Sequence, residues 1–594
     1  MTATQTPPTA PAAPSLDPKP SSKKPGGIRR IGLFDGVTIA IGLALVAIVV
    51  IPLLRVLIGL FWVDGQFTID PIVRTFAIPD LGELLINTLI VVGGSSLAAA
   101  VIGVLLAWLN ERTNARMGVV GDALPLLPFL LPPVAGAVGW TMLLSPRAGL
   151  LNSWFRDFVS LFGIELETGP FDINSWYGLI MVFTFYAVPF VYMNAAASLR
   201  NFDTSLEEAS RLSGAGAIRT LVKVTLPAIA PGIGAGLLLC IWFGFGMFSI
   251  PSIIGTPAGI DVISVRIVQL LTFTYPPETD IAVGLSGFVV LFVGLAYMMQ
   301  ARILRKGRFA TMTGKGSRSA VTDLGAWKWP LRILMLVYVA GSTLLPMFAL
   351  VIVSLNGYWT PNIGWDSLSL DALRIAVLDD FITRQALANS LGLGLAGGLI
   401  GIVAAALVSL YVARNRTAFA RGLDVGIKMP AAISNMVIAV GILLLLASPP
   451  FNLSGTLIIL LIGYLALYLP QASIAADAAV SGVGKELPEA SSVSGASPSR
   501  TFFRIYLPLM VPGLVAGWAL LFIRMVGDLT ASAILAGTGN PVVGFRILEV
   551  FNGGSYALLA ALSTVLVLIT ATVLVLVMVY ARRKSRFGIT TKVG

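Results

Sequence analysis

The chain has no histidine, a single cysteine and few charged residues. Because Cys240 has no second cysteine to pair with, an internal disulfide is excluded. Without histidine, imidazole-based metal sites and the Ser–His or Cys–His pairs of nucleophilic catalysis are excluded too. The Gly-rich loop that ends in Gly-Lys-Ser/Thr, which cradles phosphates in many ATPases, is also absent. We therefore predict neither a metal site nor a catalytic residue in this chain.

Charge is scarce, and hydrophobic residues are abundant. Only 12% of the residues are charged, compared with about 25% in an average soluble domain. Hydrophobic residues make up 56%, and the mean hydropathy is +0.88. These values predict a protein that lies largely in the lipid bilayer. The net charge of +11 would suit nucleic acid, but the basic residues flank apolar runs, where membrane topology accounts for them. We expect no nucleic-acid partner.

Twelve apolar runs are each long enough to cross a bilayer, which takes about 20 residues. A polar segment divides them equally, which predicts an all-α polytopic membrane protein built from two parallel six-helix repeats. The predicted domains are a disordered cytoplasmic tail at 1–28, a first repeat at 29–303, a cytoplasmic linker at 304–330, a second repeat at 331–585 and a cytoplasmic tail at 586–594. The predicted spans are 33–62, 85–109, 120–144, 176–198, 228–250, 281–303, 331–355, 387–413, 425–447, 455–476, 509–536 and 556–581.

The basic residues predict the orientation of these spans. With the N-terminus in the cytoplasm, every lysine falls on the inner side, while the outer loops carry mostly acidic residues. Lysine and arginine favour the cytoplasmic side of a membrane protein. We therefore expect a multi-pass membrane protein with both termini in the cytoplasm.

One polar passage occurs twice, as SLEEASRLSGAGAIRTLVKVTLP at 205–227 and as ELPEASSVSGASPSRTFFRIYLP at 486–508. At an offset of 281 residues, Glu, Ala, Ser, Gly and Leu-Pro coincide. Each copy lies between the fourth and fifth predicted span of its half, so both face the cytoplasm. Two ordinary amphipathic interfacial helices are the alternative, but they would not require matched Gly and Pro positions. The match predicts an internal duplication.

Both passages resemble the motif of permease subunits of ATP-binding-cassette importers: Glu-Ala-Ala, three residues, Gly, nine residues, Ile-x-Leu-Pro. Each copy has Ser in place of the second Ala, and the first has Val224 in place of Ile. The resemblance implies that each passage forms a coupling helix that docks on a cytoplasmic ATPase subunit. The implied docking residues are Glu208, Ala209, Ser210, Gly214, Leu226 and Pro227 in the first copy, and Glu489, Ala490, Ser491, Gly495, Leu507 and Pro508 in the second.

The same resemblance implies a transport subunit rather than an enzyme. Two copies of an ATP-binding subunit would hold ATP and Mg²⁺, so this chain would bind no cofactor, and an external binding protein would deliver the solute. The stretches 149–152 and 171–178 are most similar to permeases of ferric-iron importers, with thiamine, aminophosphonate and polyamine systems as alternatives. An ion-coupled secondary transporter is the competing class, but such coupling normally needs intramembrane carboxylates.

Two ionisable residues lie within the eleventh predicted span. Arg524 and Asp528 are four residues apart and share a helix face. Ionisable residues inside a membrane are costly and often functional. Two interpretations stay open: they line the translocation pathway, or they form a structural pair that locks two helices.

Two further sets of polar residues recur in both halves on the outer side. Asn87-Thr88 and Asn389-Ser390 open the second span of each half, where they either hydrogen-bond helix starts or form a gate. Arg266 and Arg546 follow the fifth span of each half, where they face either an outer partner or lipid phosphates.

Overall fold

A computed structural model describes residues 33–63, 65–306, 321–415, 417–484, 486–537 and 539–589. The predicted tail at 1–28 and the middle of the predicted linker lie outside these ranges. In the described chain the first half contains α1 Leu33–Gly59, α2 Asp70–Phe76, α3 Leu81–Arg112, α4 Gly118–Ala123, α5 Pro133–Leu144, α6 Leu150–Ser160, α7 Trp176–Asn201, α8 Ser205–Leu212, α9 Ala217–Thr220, α10 Leu226–Gly246, α11 Ile263–Val268 and α12 Thr279–Lys306.

The second half repeats most of this order. It contains α13 Lys328–Val339, α14 Leu345–Asn356, α15 Asp371–Arg374, α16 Phe381–Arg414, α17 Ala418–Lys428, α18 Asn435–Leu446, α19 Leu457–Ser481, α20 Glu486–Val493, α21 Pro498–Thr501, α22 Leu507–Val526, α23 Thr530–Leu535, α24 Val543–Asn552 and α25 Tyr556–Ile589. In this half α13 and α14 together form the first span, and there is no counterpart of α6 between α18 and α19. The strands β1 Trp62–Val63 and β2 Gln66–Phe67 form a small antiparallel hairpin.

Ten helical runs in the described chain are long and apolar enough to cross a membrane, and they coincide with ten of the twelve predicted spans. This confirms an all-α polytopic membrane protein. The predicted spans at 120–144 and 425–447 are broken instead. The first bends by 99° between Leu124–Leu130 and α5, and the second by 107° between Ala418–Ala432 and α18. A third bent pair, Pro251–Ala258 with Ile263–Phe273, follows the fifth span of the first half and was not predicted.

Backbone chemistry explains the two broken spans. At the first break Pro132 and Pro133 remove two backbone donors, and Pro132 is extended, with φ −53° and ψ 136°. At the second break Ser434 has nearly the same angles, φ −58° and ψ 136°, after a 3₁₀ turn that contains Pro430. The two halves therefore interrupt the same span with the same backbone conformation, although only the first uses consecutive prolines.

Each fifth span is part of a longer continuous helical run. Ala217–Gly246 and Ser499–Val526 both include a π-helical turn, Leu221–Thr225 in the first half and Phe502–Tyr506 in the second. Each Leu-Pro pair follows directly after that turn. A helical proline crowds the carbonyl of the preceding turn, and the wider π turn gives it room. Pro227 and Pro508 thus lie inside a continuous helical run.

The repeated glycines permit close packing against the fourth spans. A Cβ added to Gly236 would lie 2.8 Å from Cα of Val191, and one added to Gly517 would lie 2.7 Å from Cβ of Ala475. Small residues at such positions let membrane helices approach closely. Gly236 and Gly517, which also coincide at the offset of 281 residues, therefore fix α10 on α7 and α22 on α19.

Helices of the two halves are interleaved at the interface between them. The first span of each half packs on the broken span of the other, α1 on α18 and α14 on α5. Trp242 Nε1 donates to the Ile433 carbonyl at 2.6 Å, and Ser434 Oγ donates to the Phe245 carbonyl at 3.3 Å. The end of α10 is thereby tied to the helix break of the second half, at the interface between the halves.

Candidate functional site

The two predicted docking passages fold in the same way. Each forms an eight-residue helix, α8 or α20, that ends at a glycine in the left-handed region. Gly214 has φ +81° and Gly495 has φ +76°, a backbone conformation that other residues resist. The N–H group that follows each glycine bonds back to the carbonyl of Ser210 or Ser491 at 3.1 Å. These bonds are typical of a helix C-cap and explain why both copies need the glycine.

The serine that replaces the second alanine of the motif makes the same contact in both copies. The hydroxyls of Ser210 and Thr220 are 3.0 Å apart, and those of Ser491 and Thr501 are 2.9 Å apart. Each contact ties the short helix to the helical run that leads into the fifth span. Sequence reasoning missed the two threonines, although they also coincide at the offset of 281 residues.

The predicted docking residues differ in their exposure. Glu208, Ala209, Glu489 and Ala490 are exposed on the short helices, while both serines are half-buried beneath them. Leu226 and Leu507 are half-buried at the start of α10 and α22, and the prolines beside them are exposed. The structure therefore brings together an exposed Glu-Ala face, with Ser and Leu beneath it, twice in one chain.

A buried ion pair anchors only the first of these helices. Arg112 and Glu207 lie 3.6 Å apart, with each side chain 4% exposed. Thr225 Oγ1 donates to Glu207 Oε1 at 2.8 Å, and Arg112 also donates to the Leu199 carbonyl at 2.7 Å. The residue that corresponds to Glu207 in the second copy is Pro488, so this anchor has no counterpart there.

The described end of the linker binds beside the same helix. Thr322 pairs with Thr113 in a short parallel bridge, and its N–H donates to the Arg112 carbonyl at 2.8 Å. Arg211 of α8 donates to the Thr322 hydroxyl. Arg332 then donates to the Ala115 carbonyl at 3.1 Å. The segment that joins the halves thus holds α8 against the membrane body.

Arg524 and Asp528 have separate surroundings. Asp528 Oδ2 accepts a hydrogen bond from Tyr468 at 2.6 Å, and its Oδ1 accepts from the N–H groups of Ala531 and Ser532 at 2.8 and 3.2 Å. The carboxylate therefore caps α23. Arg524 instead stacks over the ring of Phe129, with its guanidinium carbon 4.7 Å from the ring centroid. Within the described ranges no ion pair joins Arg524 to Asp528.

In each half, polar residues at the start of the second span bind the segment that follows the fifth span. The Ile263 N–H at the start of α11 donates to Thr88 Oγ1 at 2.9 Å, and the Val543 N–H at the start of α24 donates to Ser390 Oγ at 2.8 Å. Asn389 adds a bond to the Pro541 carbonyl at 2.8 Å. Of the two interpretations, this geometry supports hydrogen bonding at helix starts.

The two outer arginines also pair within the chain. Arg266 pairs with Asp80, and Arg546 pairs with Asp380 at 2.9 Å. Burial raises the pKa of Asp380, but hydrogen bonds from Thr383 and Arg546 outweigh this effect and leave the pKa below its ordinary value. Both arginines thus hold the segment after the fifth span onto the start of the second span of the same half.

Comparison with known proteins agrees with this architecture. The family model described as "Binding-protein-dependent transport system inner membrane component" matches residues 99–308 and 397–586, one match in each half. A ferric transport system permease protein of Actinobacillus pleuropneumoniae is 23% identical over 546 residues, which cover 91% of this chain and 77% of that protein.

Two relatives with other printed substrates match less of the chain. A sulfate transport system permease protein of Salmonella typhimurium is 28% identical over 37% of this chain and 76% of its own length. A spermidine/putrescine transport system permease protein of Escherichia coli is 25% identical over 41% of this chain and 86% of its own length. Because the family model covers most of the chain in two copies, this chain belongs to the family of binding-protein-dependent transport system inner membrane components.

Proposed function

We propose that this chain is the fused permease of an ATP-driven importer, with both membrane halves in one polypeptide. An external binding protein delivers the solute, for which ferric iron is our best assignment. Two copies of a cytoplasmic ATP-binding subunit, each holding ATP and Mg²⁺, dock on α8 and α20. Both termini and both docking helices lie in the cytoplasm, and the bilayer is a bacterial inner membrane.

The observation that carries this proposal is the repetition of one docking geometry. Each short helix ends at a left-handed glycine, and each is tied by a Ser–Thr contact to the run that enters the fifth span. A single amphipathic helix at the membrane surface would not need a second copy with the same contacts. Two docking helices with the same backbone geometry fit two copies of one ATP-binding subunit.

The long helical runs connect the docking helices to the interface between the halves and can transmit a displacement of those helices. Ala217–Gly246 contains 30 residues, so at 1.5 Å per residue it reaches about 45 Å from the docking helix into the bilayer. At its far end the Gly246 carbonyl accepts a hydrogen bond from Thr530 Oγ1 of the other half at 3.5 Å. A displacement of α8 is therefore passed along one stiff element to the interface between the halves.

The ferric assignment has support from the relatives. The ferric permease of Actinobacillus pleuropneumoniae aligns with nearly the whole chain, whereas the sulfate and spermidine/putrescine permeases align with less than half. Thiamine, aminophosphonate and polyamine cargoes remain the alternatives, and binding-protein-dependent stimulation of ATP hydrolysis by each solute in liposomes distinguishes them.

Co-purification with the ATP-binding subunit of the same import system tests the docking. We expect the double variant Glu208→Arg plus Glu489→Arg to lose the subunit and to stop uptake, because two exposed carboxylates become cationic. Glu165→Arg plus Glu167→Arg makes the same charge change in an exposed outer loop and should retain the subunit. Uptake that persists in the first variant and stops only with a proton uncoupler would refute the proposal in favour of a secondary transporter.

A further inference from the structure

Arg524 lies where the two halves meet inside the membrane. It lies in the last turn of α22, and the next residues pack on the helix break of the first half. A Cβ added to Gly527 would lie 3.0 Å from the Pro132 ring. Arg524 is close enough to interact electrostatically with Tyr186 and Tyr468, which lie in the middle turns of α7 and α19. Its guanidinium group is therefore near the middle of the bilayer.

Among the residues that the structure describes, no carboxylate forms an ion pair with Arg524. Asp528 lies beyond the end of α22, and both of its carboxylate oxygens are engaged elsewhere. Arginine stays protonated in proteins, and a charge in the membrane is costly. The side chain is only half-buried, so its donors can reach a molecule that enters the interface.

The corresponding position in the first half is aromatic. Phe243 stands where the repeat places Arg524, and its ring lies 5.2 Å from that of Phe190, which lies 5.1 Å from Phe129. Arg524 stacks on the last ring of this row. The charge of Arg524 is therefore present in only one half of the repeat.

We propose that Arg524 binds an anionic solute as it crosses the interface between the halves. The chemical class is an oxyanion, or a metal ion that carries enough anionic ligands to make the complex negative. This inference rests on the proposed importer function. The planar guanidinium fork binds such oxygens with two parallel hydrogen bonds. Sites of this kind in transporters lie near the bilayer midplane, at repeat interfaces, beside discontinuous helices. An uncomplexed trivalent cation or a polyamine would be repelled, so ferric iron would cross as an anionic complex.

Equilibrium binding to the full chain in phosphatidylcholine nanodiscs tests this inference. The probes are radiolabelled sulfate, phosphate and ferric citrate, with spermidine as the polycation, all at equal ionic strength. We expect at least one anion to bind and spermidine not to. Arg524→Gln should weaken anion binding about ten-fold or more, because a charge-assisted hydrogen bond is lost. Arg524→Lys should give an intermediate affinity, and the exposed Arg504→Gln, on the same helical run, should bind like the unchanged protein.

Either of two results would overturn the assignment. One is that the unchanged protein binds none of the anions, or binds spermidine more tightly than any of them. The other is that Arg524→Gln retains the original anion affinity while its thermal unfolding is unaltered. Co-purification of the ATP-binding subunit is measured on the same samples. If the subunit did not co-purify with the unchanged protein, the importer function would be refuted. If it co-purifies with Arg524→Gln, a change in anion binding is due to the solute site and not to the docking site.

Discussion

The buried ion pair beneath α8 allows two neighbouring residues to be given different roles. Glu207 and Glu208 are adjacent, but Glu207 is buried against Arg112 and Glu208 is exposed. Glu207→Gln keeps the shape of the side chain and an acceptor for the Thr225 hydroxyl, so the substitution removes only the charge. Arg112 would then stay buried without its counter-ion.

The magnitude follows from this geometry. Removing one partner of a buried ion pair costs about 3–5 kcal/mol. Because Arg112 retains its hydrogen bonds to the carbonyls of Leu199 and Phe202, at 2.7 and 3.2 Å, we expect the lower end, about 3 kcal/mol. If this loss lowers the free energy of local opening of the 205–225 segment, the amides of that segment should exchange about 100-fold faster.

Hydrogen exchange of the purified chain in nanodiscs, read by mass spectrometry, measures this effect. The second docking helix, α20, is the internal reference because proline replaces Glu207 there, and its exchange should not change. Glu208→Gln is the matched control: exchange should stay as in the unchanged protein while binding of the ATP-binding subunit weakens. If Glu207→Gln left exchange in 205–225 unaltered, the assignment of Arg112–Glu207 as the anchor of the first docking helix would be wrong.

Three further expectations concern the second half. Gly495→Ala places a Cβ on a left-handed residue and should destabilise the end of α20 by about 1 kcal/mol, which faster exchange in that helix would reveal. Ser491→Ala should cost about 1 kcal/mol by leaving the Thr501 hydroxyl without its contact, measured in the same way. The third concerns the Asp380–Arg546 pair, in which the pKa of Asp380 is lowered. The pair should stabilise the protein fully above an ordinary aspartate pKa of about 3.9, and this stabilisation should weaken as the pH falls through the lowered pKa. Asp380→Asn should remove this pH dependence from thermal unfolding curves recorded across acidic pH.

Hydrophobic run length predicted most of the fold, because a bilayer-crossing helix must satisfy its own backbone and so needs a long apolar segment. Ten predicted spans are found as long helices. The spans at 120–144 and 425–447 are also long enough to cross, but the structure breaks both of them near prolines. A bend near 100° depends on the other half, since α14 packs on α5 and α1 packs on α18.

For the docking helices, too, part of the structure was predicted from the sequence and part depends on tertiary packing. The resemblance of both passages to the importer motif predicted the two short helices, and the motif glycine stands where a left-handed turn favours that residue. The anchor of the first helix could not be predicted in this way. Arg112 and Glu207 are far apart in the chain and belong to elements that only tertiary packing brings to 3.6 Å.

What the sequence determined by itself is a duplicated bundle of membrane helices with two like passages on one side, because composition, run length and repeat spacing are local properties of the chain. What only the tertiary structure decided is how alike the two halves are. The residues of one repeat correspond to those of the other along the chain, but burial, pairing and exposure depend on neighbours from distant segments. For this reason Arg524 has an aromatic ring beside it rather than a carboxylate, and α8 has a buried anchor that α20 lacks.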